Sequence, residues 1–160
     1  MKKLMAMTAI AAASFVASPA MASAKTLKLF SKPIPEVGGV FGPDGNPLTD
    51  NGQAPTVGSY FVGGDRLYRG TAKHHAKAVF GYDHLLCTII DAQGNTRCNA
   101  DLAVRNGAVY ATNFNLNLQG NGVTITSGLF GSGHYVHVKS LVSRDVGNSD
   151  NSPSELTITY

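Results

Sequence analysis

The sequence predicts an all-β protein, an eight-stranded antiparallel barrel. Beyond residue 57, apolar and polar residues alternate in short runs, Gly-rich turns separate the runs, and no stretch between them carries the period of an amphipathic helix. Many short strands without intervening helices must close on themselves or stack, because open sheet edges leave backbone donors and acceptors unpaired.

The chain opens with a segment outside that pattern. Lys2 and Lys3 precede an apolar stretch from Leu4 to Ala17, too short to span a bilayer, and Ala22-Ser23-Ala24 has the small-residue spacing of a cleavage site. Residues 1–24 therefore read as a signal peptide, residues 25–160 as one domain, and the mature protein as exported to a periplasm or the medium. No later stretch is apolar and long enough for a membrane span. Taking away Lys2 and Lys3 lowers the formal charge from +3 to +1. The remaining cations are scattered, with no basic stripe to neutralise phosphates, which argues against nucleic acid as a partner.

Thr26 to Phe30 alternates as a first strand. Residues 32–56 then interleave Pro33, Pro35, Pro43, Pro47 and Pro55 with five glycines, which predicts a long loop without regular structure, either a lid or a flexible arm. Strands follow near residues 57–69 (with Gly63-Gly64 as a bulge), 77–90, 95–105, 108–118, 122–130, 134–144 and 154–160, eight with the first, a number that closes a small barrel around side chains or one ligand. Asn106-Gly107 predicts a two-residue hairpin loop that sets Arg105 opposite Ala108, Val104 opposite Val109, Leu102 opposite Ala111 and Ala100 opposite Asn113. Cys98, Ala100, Leu102 and Val104 then face inward, and Arg97, Asn99, Asp101 and Arg105 face out. On the partner strand the same alternation leaves Tyr110, Phe114, Leu116 and Leu118 outside. Such a stripe needs covering. Either it is the interface of a homo-oligomer, or a bulge near Asn113 turns Phe114, Leu116 and Leu118 into the core.

Cys87 and Cys98 test the neighbouring hairpin. A two-residue Ala92-Gln93 loop puts them directly opposite, as a cross-strand disulfide requires, whereas a turn ending in a Gly94 bulge shifts the pairing by one and points them apart. Export and the even count favour the disulfide over two buried thiols. His74, His75, His84, His134 and His137 resemble a metal set only in number: strand neighbours, and residues three apart, point to opposite faces, so no metal site and no cofactor is expected. There is no G-x-S-x-G elbow for a hydrolase, and Gly131-Ser132-Gly133 reads as a hairpin loop because no helix follows to bind phosphate.

The order of VGSYFVGGDRLYRG (57–70), HLLC (84–87), the strands after Cys98, ITSGLFGSGHY (125–135) and SELTITY (154–160) resembles the allene oxide cyclase barrels and their dirigent-type relatives. The resemblance implies a calycin-like barrel, commonly trimeric, with an apolar cavity. Asp65 stands where the cyclases carry a water-holding Asn, and Cys87 where they carry a pocket Cys. The first strand, TLKLFSKPIPEV, lacks the family's acidic cluster and Ser-Pro pair, and Glu36 lies beyond two prolines. Dirigent relatives use cavity acids on reactive intermediates, a role that suits Asp65 or Asp83. Two functions follow: a barrel that binds a small hydrophobic molecule, or a cyclase, isomerase or dirigent-like enzyme that orients one. Tyr60, Asp65, Tyr68, Asp83 and Asn113 are the expected ligand contacts, Asp65 and Asp83 the catalytic candidates. An acid in an apolar cavity is disfavoured when charged, so Asp65 is expected to hold its proton to a raised pH.

Overall fold

A computed structural model describes residues 23–48, 54–117, 120–147 and 153–160. Nearly all of the expected signal peptide, as well as Leu118, lies outside the described residues. Ten strands form one antiparallel sheet: β1 (Thr26–Pro33), β2 (Gly39–Phe41), β3 (Tyr60–Gly70), β4 (His75–Ile89), β5 (Asn95–Val104), β6 (Gly107–Asn117), β7 (Gly122–Ile125), β8 (Leu129–Gly131), β9 (Ser140–Asp145) and β10 (Ser154–Thr159). Their spatial order is β7-β9-β10-β1-β3-β4-β5-β6-β8, with β2 also paired to β3.

The two ends of that path are neighbours in the chain, which makes the sheet a nearly closed barrel. The strand expected over residues 122–130 is broken at Thr126-Ser127-Gly128, so that β7 pairs with β9 while β8 pairs with β6. The break is held to β6 by the Thr112 amide, which donates to the Gly128 carbonyl at 2.8 Å. Taken as two halves of one bent stave, β7 and β8 leave the barrel with eight staves, once β2 is read as the continuation of β1. The Pro/Gly-rich stretch holds more structure than expected. β1 reaches Pro33, beyond the last pairing with β10; the Pro35–Val37 turn interrupts it; and β2 resumes along the same edge of β3, from Gly39 opposite Val62 to Phe41 opposite Tyr60. The strand expected from residue 134 starts only at Ser140, after a 3-10 turn at Gly133–Tyr135.

Register settles the remaining expectations. In the β5–β6 hairpin Val104 pairs with Gly107 and Leu102 with Val109, two residues from the expected register, so up to Ala111 every face is kept while every partner changes. Asn106 and Gly107 do take positive φ, at 73° and 155°. Gly107 nevertheless joins the strand, because a Cβ there would sit 2.2 Å from the Ser132 carbonyl oxygen, and the 132–134 segment bonds back to Asn106 and Ala108. Further along, Cys98 faces Phe114 while Ala100 faces Ala111, an extra residue in β6 with Asn113 at φ 58°. Of the two readings of the apolar stripe, this is the bulge near Asn113, and not the oligomer interface. Phe114 packs against the core, Leu116 is half-buried, and only Tyr110 of the three described residues remains exposed. No bulge occurs at Gly63-Gly64, which pair regularly with Leu85 and His84; β3 shifts register at Tyr68 instead.

One end of the barrel carries the core. Leu29, Leu67, Leu102, Val109 and Ile158 are fully buried there, joined by Leu27, Val104, Ala111, Ile125, Tyr135, Leu141 and Leu156. Each large aliphatic side chain so buried contributes about 1.5–3 kcal/mol.

Candidate functional site

Paired residues share a face, so the barrel's inner wall is a set of rows running across β3, β4, β5 and β6. Leu67, Gly81 and Val104 make one row; Asp65, Asp83, Leu102 and Val109 the next; then Gly63, Leu85, Ala100 and Ala111; then Phe61, Cys87, Cys98 and Phe114. Two carboxylates therefore stand side by side on an otherwise apolar wall. The row beside them is built from one leucine and three of the smallest residues. At Gly63 an added Cβ would meet nothing within 4 Å, so open space adjoins the acids on the inner face.

Ser31 completes the group from β1, where Leu27, Leu29 and Ser31 share the inner face. Its hydroxyl is buried and reaches both acids: it donates to Asp65 Oδ2 and lies 3.3 Å from Asp83 Oδ2. The Asp65 amide donates to Asp83 Oδ1 at 3.1 Å. A serine hydroxyl carries one hydrogen and so cannot donate to two carboxylates at once. The arrangement is complete when Asp83 is protonated, its O–H donating to Ser31 and Ser31 donating to ionised Asp65. Electrostatics agrees. Burial, then the neighbouring Asp65 charge, pushes Asp83 up to about 7, and burial raises Asp65 as well, against the Ser31 hydrogen bond. A pair of acids that share one proton through a hydroxyl fits both the hydrogen bonds and the direction of these shifts.

The other expected contacts are not brought to this group. Tyr60 lies on the opposite face of β3, stacked on Phe41 with ring centroids 5.1 Å apart. Tyr68 packs outside against Phe30 and His75, at 6.4 Å and 5.6 Å. Asn113 shapes the β6 bulge and accepts from Arg97 at 2.7 Å on the exposed side. His84 meets Asp101 at 3.4 Å on the outer surface, and the described residues hold no cluster of three or more metal-ligating side chains. Cys87 and Cys98 form the disulfide, with Cα atoms 4.1 Å apart on the inner wall. Gly94 takes the positive φ expected of a bulge, 77°, without shifting the pairing, because Ile90 bonds Asn95 across a loop that the Asp91 side chain ties to the Gln93 and Asn95 amides. A separate cavity of about 320 Å³ lies on the outside of β1, β9 and β10, away from the acids. The chemistry argues for the inner wall, since that is where proton-bearing groups are desolvated together.

Sequence reasoning missed Ser31 and Gly63. The signal for Ser31 is its position: a small polar residue continuing the inward alternation Leu27, Leu29. Gly63 carried a signal that was read as backbone geometry rather than as space.

Neither a protein-family model nor a curated protein sequence matches the chain. Among solved structures it is similar to the pterocarpan synthase dirigent protein PsPTS1, at 12% identity and a TM-score of 0.57 over 86% of this chain and 92% of that one. It is also similar to the pterocarpan synthase dirigent protein GePTS1, at 8% identity and a TM-score of 0.56 over 86% of each chain. At such identities the likeness is one of architecture, and it is extensive enough to conclude that this chain has the dirigent-type β-barrel fold.

Proposed function

We propose that the barrel takes a small hydrophobic molecule into the open part of its interior and guides its cyclisation or coupling. The observation that carries this reading is the Asp83–Ser31–Asp65 chain, a proton donor and a proton acceptor joined on one apolar wall. In a ring closure, Asp83 gives its proton to an oxygen of the substrate's electrophilic half, and ionised Asp65 takes the proton of the attacking hydroxyl. Passage of that proton from Asp65 through Ser31 to Asp83 restores the starting state, so substrate and product are isomers and no cofactor is consumed. The apolar wall and the space at Gly63 supply orientation. The fold shared with two pterocarpan synthase dirigent proteins supports a dirigent-like barrel that guides cyclisation or coupling.

The space at Gly63 by itself favours a second reading, a barrel that binds its ligand without changing it. Mass spectrometry of an organic extract of the purified protein, before and after incubation with the recovered compound, separates the two. Turnover that Asp83→Asn abolishes while the compound is still retained supports the enzyme. Retention without turnover leaves the binder. The cross-strand disulfide supports export to an oxidising compartment. For a homo-oligomer, trimeric in this proposal, the supporting surface is now the outer face of β4, β6 and β8, where Tyr82, Leu86, Tyr110 and Phe130 are exposed. Light scattering of the wild type and of Phe130→Lys tests it.

A further inference from the structure

The outside of the barrel carries a second concavity with a chemistry unlike the inner wall. Its volume is about 320 Å³, and Lys28, Thr71, Val142, Arg144, Glu155 and Thr157 are among its lining residues. The strand ladder places them. Lys28, Thr157 and Val142 form one outward row across β1, β10 and β9, and Phe30, Glu155 and Arg144 form the next. Thus two long cations rise from the outer strands of a three-strand floor, with Thr157 and Glu155 on the strand between them and Val142 beside Arg144 on β9.

One wall of this groove is built with some care. The turn after β3 folds back over the outer face: Thr71 and His74 exchange backbone hydrogen bonds at 2.9 Å and 3.1 Å, and the His75 ring covers Phe30 at 4.5 Å between centroids. Gly70 permits the fold, since it has φ 119° and an added Cβ would lie 2.2 Å from the His74 carbonyl oxygen. The Ala72 amide then donates to Glu155 Oε1 at 2.8 Å, pinning the turn to β10. That bond turns the one carboxylate of the groove toward its wall. Among the described residues neither Lys28 nor Arg144 meets a carboxylate within ion-pair distance. Among the described residues the groove therefore holds two cations without an ion-pair partner against one acid already engaged by an amide.

We infer that this groove is a binding site for a small organic acid, distinct from the interior acids and independent of the function proposed for them. Its carboxylate sits between the Lys28 ammonium and the Arg144 guanidinium, the Arg144 fork suiting two carboxylate oxygens, while Thr71 and Thr157 offer hydroxyls and Val142 an apolar surface for the ligand's body. The volume falls at the small end of ligand pockets and suits a single-ring or short-chain acid.

The test titrates the folded protein with benzoate, with the neutral benzamide and with inorganic phosphate, following backbone amide shifts by NMR. Benzoate is expected to give saturable shifts at Thr71, Val142 and Thr157, with a dissociation constant that rises with salt. Lys28→Gln and Arg144→Gln, both at exposed positions, should each weaken it about tenfold at unchanged thermal stability. Benzamide should leave these amides unmoved. The inference is overturned if benzoate gives no saturable shift there, if benzamide shifts the same amides equally, or if phosphate binds as well as benzoate, since the apolar body would then contribute nothing.

Discussion

Toward one end of the barrel Leu29, Leu67, Val104 and Ile158 fill the interior, whereas two to four residues further along the strands the inner face carries Ser31 on β1, Asp65 and Gly63 on β3, Asp83 on β4 and Ala100 on β5. The alternation that aims these side chains is common to both ends, and the contrast lies entirely in their size and polarity. A sealed aliphatic end supplies burial energy that an end with two desolvated carboxylates and unfilled space does not. Stability and chemistry are thus separated along the strand rather than between domains, and a shift of two residues within a strand moves a position from one task to the other.

That contrast can be broken most forcefully at the packed end. Leu67→Ala, at a position with no exposed surface, should cost about 3–5 kcal/mol in urea unfolding. A loss below about 1 kcal/mol would mean that this end is not the anchor. Replacing both Cys87 and Cys98 with Ala should cost about 3 kcal/mol, because the bridge closes a short loop of sequence separation 11 in the unfolded chain. The wild-type protein should meanwhile show no thiol open to alkylation until it is reduced.

At the acid end the expected effect is opposite in sign. The pKa of Asp83 is about 7 in the fold against 3.8 when unperturbed, so between these values the folded state binds more protons than the unfolded chain. Stability should therefore fall as pH rises through that window and level off above it. Asp83→Asn removes the penalty, gaining about 4 kcal/mol at pH 8 and close to nothing at pH 4, which urea unfolding at the two values checks. A variant less stable at pH 8 would show that the charge is paid for by partners and not by burial. Smallest of all should be Gly63→Leu, within about 1 kcal/mol of wild type, since its side chain enters open space. It should abolish retention of any interior ligand, and a variant that keeps its ligand would place the binding space elsewhere.

Much of the fold was legible in the sequence. Alternation and turn chemistry give the all-β class, the strands from residue 57, and the inner faces of β5 and of β6 up to Ala111. Residues whose meaning depends on distant partners were harder to read. Gly107 looks like a loop residue until Ser132 is seen to press against it, and the stretch read as one strand over 122–130 divides before Leu129 because its two halves answer to opposite sheet edges. Of the site, Asp65 and Asp83 could be named, but their adjacency rests on the β3–β4 register, and the share of Ser31 rests on a contact across 34 residues. Tyr60 and Tyr68 stand apart from the acids because aromatic residues suit either face of a strand, and here Phe41 of β2 and His75 of β4 pack on them from outside.

The placement of β1 between β3 and β10 has a consequence for how the barrel comes to exist. Leu27 and Leu29 take their partners on one side from Ile158 and Leu156, and Lys25 exchanges two backbone hydrogen bonds with Tyr160, at 2.8 Å and 2.9 Å. During synthesis the edge of β1 that belongs to β10 has nothing to pair with until residues 154–159 emerge. Pairings so distant in sequence are slow to form, and the unpaired edge invites association with other chains while it waits. The acids of the inner wall consequently meet in a closed barrel only after β10 has docked, which makes β10 the strand that decides closure.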